Sequence, residues 1–299
     1  MPELPEVETI RLGLAPRVVG KEIAQVEAWN PRMTRTQPGG AQQFKDFLTG
    51  AKIQAAARRG KFLWLELDDE RALVIHLGMS GQVHAWDEPP AQKRKHEHIR
   101  LTFTDGTGYS HVDQRTFGKT EVVDLAPCAD GFAGGWGTET AAMPESATHI
   151  ARDPLDPGFN LPQVAAQLRK SQVAVKTLLL KQELVSGIGN IYADEALFKA
   201  GIHGAKPGAS LSKAQAETLL RAAQEVMEAA VKVGGTSFDA LYVNVSGEPG
   251  YFAISLQVYG RNGQSCYKCG NLIERETIGG RSHHFCRNCQ PLAKRKRKP

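Results

Sequence analysis

Cys266-Tyr-Lys-Cys269 and Cys286-Arg-Asn-Cys289 lie sixteen residues apart near the end of a 299-residue chain. Two Cys-x-x-Cys knuckles at this distance each offer two thiolates to one tetrahedral ion, the pattern of a structural zinc site. Between them, Leu272–Ile278 and Ser282–Phe285 flank Gly279-Gly280-Arg281, which reads as a hairpin with its tip at the glycines. So small a module cannot fill its own core, and metal binding supplies on the order of 10 kcal/mol of its folding energy. Arg281 stands at the tip. An arginine on a thin β-ribbon can enter a DNA minor groove, and it can equally be a solvated surface residue.

Upstream of the cysteines the chain reads as helical. Apolar periodicity marks helices over 161–168, 175–182, 191–200 and 212–233, the last with Ser212 as N-cap and Gly234-Gly235 as its stop. Val185-Ser-Gly-Ile-Gly-Asn190 leads into the third of these. Its glycines allow a tight turn, and the free N–H groups of the next helix would then face an anion. Lys170, Lys176 and Lys181 nearby favour a phosphate over a plain interhelical turn.

The first half is mostly β. Phe62–Leu67 and Ala72–Leu77 flank an acidic turn and read as a hairpin, and Ile99–Phe103 and Glu121–Leu125 read as further strands. Residues 126–148 are rich in Gly, Ala and Thr and read as an irregular insertion, followed by Asp153-Pro154 and Asp156-Pro157 at a boundary. Residues 3–14 place Leu4, Val7, Ile10 and Leu14 at helical spacing, with Glu3, Glu6 and Glu8 near the positive end of the helix dipole.

Pro2 precedes that helix. If Met1 is trimmed, Pro2 presents a secondary amine whose reference pKa of about 8 leaves a useful neutral fraction at pH 7. Such an amine can attack a sugar C1′ and expel a base, with a neighbouring carboxyl to move protons. The same residues also make an ordinary acidic helix start, so these few positions leave both readings open.

Composition sets bounds. With 41% hydrophobic and 23% charged residues the chain has a globular make-up, and no run of 18 apolar residues marks a membrane span. Nor does the start resemble a secretory signal. The net charge is only +5, but Lys93-Arg94-Lys95 and Lys294–Lys298 concentrate it, as phosphate-binding patches or solvated tails do.

Several stretches together resemble the formamidopyrimidine-DNA glycosylases. They are Met1-Pro-Glu-Leu-Pro-Glu-Val-Glu-Thr9, Arg58-Arg-Gly-Lys61, His76-Leu-Gly-Met-Ser-Gly81, Asp113-Gln-Arg-Thr-Phe-Gly118, Ser186-Gly-Ile-Gly-Asn-Ile-Tyr192, Pro249-Gly-Tyr-Phe252 and Val258-Tyr-Gly-Arg261, in order along the chain with the cysteine spacing. The resemblance implies an α+β multidomain fold: an N-terminal helix on a β-sandwich (1–148), a linker (149–157), a helix-two-turns-helix domain with a lesion-capping loop (158–258), a C-terminal zinc-finger β-hairpin (259–290) and a basic tail (291–299).

It also implies a base excision repair enzyme. The implied activity excises oxidised purines (8-oxoguanine, formamidopyrimidines) through a Pro2 Schiff base and cleaves the strand by β,δ-elimination. Glu3 would be the main acid/base, and Lys61 would contact phosphate near the lesion. Met79, Arg115 and Phe117 would fill the hole left by the flipped nucleotide, although Met79 and Phe117 without the resemblance read as core. Asn190, Tyr259 and Arg281 would grip DNA. One structural Zn2+ on Cys266, Cys269, Cys286 and Cys289 is implied, with no diffusible cofactor. The partner is double-stranded DNA with oxidised purines or abasic sites; a monomer in the cytoplasm, associated with the nucleoid, is expected. Thr116 departs from the second arginine common in relatives, the 126–148 insertion has no obvious counterpart, and the loop at 236–247 is of a variable kind. Two rivals stay open: an endonuclease VIII-like preference for oxidised pyrimidines, and a catalytically silent DNA-binding zinc protein.

Overall fold

The computed structural model describes residues 2–236, 245–246 and 252–292. The chain divides into two compact units, one of Met1–His149, Asp156–Gly158 and Ala230–Ala253, the other of Ile150–Leu155, Phe159–Ala229 and Ile254–Pro299.

In the first unit α1 (Leu4–Val18) is followed by β1 (Ile23–Ala28), α2 (Gly40–Leu48), β2 (Ile53–Arg59), β3 (Phe62–Leu67), β4 (Arg71–His76), β5 (Gly81–Trp86), β6 (Glu97–Phe103), β7 (Gly108–Asp113), β8 (Lys119–Pro127) and β9 (Ala142–Pro144). Two antiparallel sheets form, in the orders β1-β6-β7-β5 and β2-β3-β4-β8-β9. Burial in β6 alternates residue by residue, as a strand with one inward face requires. One core joins Val7, Ile10, Leu14 and Val18 of α1 to side chains of both sheets, including Leu63, Leu65, Ile75, Ile99 and Leu101. The expected helix on a β-sandwich is thus observed. The helix runs a turn past 14 because Val18 belongs to the same core.

The expectation of an irregular 126–148 insertion is corrected. The segment contributes β9 as a fifth strand, and Trp136 exchanges two backbone hydrogen bonds with Arg58 of β2, at 2.9 and 2.8 Å. Its glycines serve close approach. A Cβ on Gly134 would lie 1.8 Å from the Ala142 carbonyl oxygen, and one on Gly135 2.4 Å from that of Arg58. A composition that reads as a loop is here the condition for packing backbone against a sheet edge.

The second unit holds α3 (Leu161–Leu168), α4 (Val175–Leu179), α5 (Asn190–Lys199), most of α6 (Lys213–Lys232), β10 (Ile273–Ile278) and β11 (Arg281–Cys286). The 175–182 helix is shorter than expected, ending at Leu179. In the hairpin Ile278 pairs with Arg281, and Gly279 and Gly280 take φ of 55° and 77°, the left-handed values a two-residue turn demands. Its core is small: Phe198, Val258, Cys266, Ile273 and Cys286. Residues 237–244 of the expected lesion-capping loop, 249–251 of the Pro249–Phe252 motif, and 293–299 of the basic tail lie outside the described residues. Among those described, no helix is long and apolar enough to cross a membrane.

Candidate active site and zinc centre

Pro2 and Glu3 are buried, and Glu3 is the N-cap of α1. A reciprocal cap closes the helix start: the Glu3 backbone N–H donates to Glu6 Oε2 at 2.8 Å, and the Glu3 side chain accepts from the Glu6 backbone. Glu6 Oε1 accepts a second bond, 2.7 Å, from the backbone N–H of Thr236. That contact depends on Gly235, whose φ is 80° and whose Cβ would stand 3.0 Å from Glu6 Oε1. Both Glu6 oxygens thus fix backbone, and Glu3 is held as an acceptor at the positive end of a helix, where an ionised carboxylate is favoured.

One turn further on, Glu8 is the hub of a buried ion cluster. Its Oε2 accepts from Arg11 Nε (2.9 Å) and Arg58 Nε (2.8 Å), and its Oε1 from Arg11 Nη2 (2.6 Å). Arg58, only 1% exposed, also donates through Nη1 to the Gly60 carbonyl at 3.2 Å. This ties α1 to the β2–β3 turn that carries Lys61, a half-buried residue. Glu8 and Arg58 were not singled out from the sequence by role. The signal was available: Glu8 and Arg11, three apart and opposite in charge, interrupt an apolar stripe of Leu4, Val7 and Leu14. Near the same turn, burial and the charges of Lys119, Arg35 and Lys61 pull His76 down to about 4, so it is neutral at physiological pH.

Met79, Arg115 and Phe117 come together on the same unit. Met79 is 39% and Phe117 46% exposed, against the core reading that their apolarity invites. The Arg115 guanidinium lies 5.7 Å from the Phe117 ring centroid and donates to the Met79 carbonyl at 3.2 Å. Beneath them the Asp113 carboxylate accepts from Ser80 Oγ (2.5 Å), Arg115 N (3.2 Å) and Gly118 N (2.8 Å). From the other side Arg32 Nε donates to the Thr116 carbonyl, and Arg35 donates to those of Phe117 and Gly118. Gly78 packs against this loop so closely that its Cβ would stand 2.5 Å from Gly118 N. An exposed apolar pair on two adjoining loops this firmly anchored, β4–β5 and β7–β8, is shaped to meet something outside the fold.

In the second unit α5 organises the remaining candidates. Asn190, its first residue, donates to Ser282 Oγ at 3.1 Å, next to exposed Arg281 at the hairpin tip. Glu195 Oε1 accepts from the backbone N–H groups of Val258 and Tyr259, both at 2.9 Å, and Oε2 from that of Gln257. Burial pushes the Glu195 carboxyl above its ordinary value despite these bonds. The Tyr259 ring stands 4.9 Å from that of His284. Asn190, Tyr259 and Arg281 are therefore each fixed through α5 or the hairpin it holds.

Lys176 corrects an expectation. It is fully buried and pairs with Asp194 at 2.6 Å, and it also donates to the Ser282 carbonyl, so it is not available to a phosphate. Asp194 also accepts from His283 Nδ1 (2.7 Å) and the His284 backbone (2.8 Å). Burial raises its carboxyl, but hydrogen bonds to the His283 and His284 side chains and the Lys176 charge outweigh it and hold it below the ordinary carboxylate value. Lys170 and Lys181 remain exposed.

The four cysteines converge. Cys266 and Cys289 Sγ lie 3.9 Å apart, and Cys269 and Cys286 Sγ 3.4 Å apart. Zn–S bonds near 2.3 Å at tetrahedral angles need S···S of about 3.8 Å, so the set fits one zinc ion with every position filled by protein, a structural site. A second group, His203, Glu276 and His283, also lies close together. There His203 Nδ1 and His283 Nε2 already accept backbone N–H groups of Ala205 and Gly204. It is a packing cluster.

Comparison with known proteins agrees over the whole chain. Residues 1–120 match the formamidopyrimidine-DNA glycosylase N-terminal domain, 150–241 the H2TH domain of the same enzymes, and 263–292 the zinc finger found in FPG and IleRS. A formamidopyrimidine-DNA glycosylase of Salinispora arenicola is 48% identical over 296 residues, covering 99% of this chain and 98% of the relative; that of Thermobifida fusca is 48% identical, covering 97% and 98%. Lactococcus lactis Fpg in complex with abasic-site DNA superposes with a TM-score of 0.81 at 34% identity, and its complex with Fapy-dG DNA with 0.80, each covering 97% of this chain and 100% of the other. With its three domains matched in order and relatives near half identity over nearly its full length, the chain belongs to the formamidopyrimidine-DNA glycosylase family.

Proposed function

We propose that this chain is a bifunctional base excision repair enzyme that removes oxidised purines from duplex DNA and then cuts the strand. The Lactococcus relative is seen with Fapy-dG and abasic-site DNA, which supports this choice of substrate. The observation that carries the chemistry is the start of α1, where Pro2 adjoins a buried, cap-held Glu3.

With Met1 removed, the Pro2 nitrogen attacks C1′ of the damaged nucleotide. The N-glycosidic bond breaks and its electron pair leaves with the base, which takes up a proton. The Glu3 carboxylate takes the proton that the Pro2 nitrogen sheds and passes it to the ring oxygen, and opening of the sugar ring gives an iminium ion between Pro2 and C1′. The iminium acidifies C2′. Loss of a C2′ proton expels the 3′ phosphate, and a second elimination expels the 5′ phosphate, leaving a one-nucleotide gap. Lys61 neutralises a phosphate beside the reacting sugar. Met79 and Phe117 replace the lost stacking, and Arg115 donates to the O2 and N3 acceptors of an orphaned cytosine. Asn190, Tyr259 and Arg281 hold the backbone. Zinc, on the four cysteines, shapes the hairpin and takes no part in the chemistry. Such an enzyme acts as a monomer at the nucleoid.

Borohydride trapping on a duplex with one 8-oxoguanine opposite C tests the reading. A covalent adduct is expected, absent in Pro2→Gly and when Met1 is retained. Tight binding without an adduct would favour the silent rival, and an adduct only with thymine glycol the pyrimidine-directed one.

A further inference from the structure

The Lys93-Arg94-Lys95 run is the most concentrated positive charge among the described residues, and nothing so far uses it. It is exposed and sits in a turn closed by Glu97, whose backbone donates to the Arg94 carbonyl at 3.1 Å and whose Oε2 accepts from Arg94 N at 2.7 Å. Glu97 is not a counter-charge for the run. It is buried and spends its carboxylate on Arg100, at 2.7 and 2.9 Å, and on Ser110, at 2.6 Å. Among the described residues no carboxylate pairs with Lys93, Arg94 or Lys95. Lys93 instead stands 4.3 Å from the centroid of Trp29, an aromatic ring that is 38% exposed. Trp29 is bonded through its backbone to His98, and the chain then turns into exposed Arg32 and Arg35.

This basic surface is continuous with the β7–β8 loop bearing Arg115 and Phe117, against which the β4–β5 turn with Met79 packs. The Asp113 backbone donates to the His96 carbonyl at 2.9 Å, His98 Nε2 lies 2.9 Å from the Asp113 carbonyl oxygen, and Arg32 and Arg35 hold the carbonyls of residues 116–118. Two cationic turns therefore border the β7–β8 loop, and the exposed Trp29 ring joins them.

We propose that Lys93, Arg94 and Lys95, with Arg32, Arg35 and the face of Trp29, form a phosphate-binding shoulder that grips the duplex backbone flanking the lesion. The proposal rests on the DNA-directed reading above. It assigns the run to the sugar-phosphate backbone because consecutive exposed cations with no carboxylate partner supply the charge of sequence-blind phosphate contacts.

The test is the salt dependence of binding to an undamaged duplex. Removing one phosphate-binding cation lowers the slope of log affinity against log salt by about 0.9. The double variant Lys93→Gln/Lys95→Gln is expected to reduce the slope by about 1 to 2. The control Lys45→Gln/Lys52→Gln removes the same charge elsewhere on the unit and should leave it unchanged. Equal slopes for the first variant and wild type overturn the shoulder, as does an equal fall in the control, which would mark a net-charge effect. Failure of the wild type to bind any duplex overturns the DNA-directed reading along with it.

Discussion

Two helices in this chain begin with the same reciprocal cap, built from different residues. At α6, Ser212 Oγ accepts from the Gln215 backbone at 3.1 Å, and Gln215 Oε1 accepts from that of Ser212 at 3.0 Å. Both residues are exposed and neutral. At α1 the two places are taken by Glu3 and Glu6, both buried. Serine is among the favoured N-caps and glutamate is not, and burying carboxylates is costly without several donors. The α6 cap is what stability alone selects. The α1 cap departs from it at the point where Pro2 meets Glu3, and a local departure of that kind is expected where chemistry, not stability, sets the residue.

The sharpest way to break this comparison is Glu3→Gln. The amide oxygen still accepts the backbone bond at the cap, so stability should change by less than about 1 kcal/mol. If Glu3 moves protons, the single-turnover rate should fall on the order of 10²- to 10⁴-fold. Rapid-quench assays beside thermal unfolding separate the two. A rate within a few-fold of wild type would reduce Glu3 to a cap.

How legible the sequence was divides along similar lines. The cysteine spacing, the hairpin turn and the Ser212 start followed from local rules, and each is local in the structure. Missed elements such as β1, α2, β5 and β7 form through pairing and packing with distant residues: Val26 of β1 lies opposite Leu101, and Val83 of β5 opposite His111. The 126–148 segment misled because glycine carries the same letter in a loop and at a close backbone approach. Lys176 misled because a lysine near a glycine turn reads as a phosphate ligand, and only the fold shows Asp194 beside it. At the candidate site the family resemblance named Pro2, Glu3 and Lys61. What fixes them, through Glu8, Arg58 and the return of Thr236 to Glu6, depends on partners as far as 230 residues apart in sequence.

Glu6→Gln sharpens the comparison from the other residue of the box. Glu6 serves two backbone donors with two oxygens, those of Glu3 and Thr236. An amide has one acceptor oxygen, so one buried N–H would face an NH₂ group. The expected loss is about 1–3 kcal/mol in denaturant unfolding with an unchanged m-value. A loss under about 0.5 kcal/mol would mean that the Thr236 segment swings away at little cost, and that the second acceptor at α1 is not needed for the fold.

The smallest effect belongs to Ser212→Ala. Alanine removes the acceptor for the Gln215 N–H, but that group lies at an exposed helix start where water can replace it. A loss of about 1 kcal/mol is expected, in line with other N-cap serines. Trapping on 8-oxoguanine duplex should proceed at the wild-type rate, since nothing at this cap touches the candidate chemistry. A drop in trapping without further loss of stability would show that the start of α6 matters to function as well. The contrast between a cap chosen for the helix and a cap chosen for the reaction would then fail from the α6 side, even if Glu3 behaves as expected.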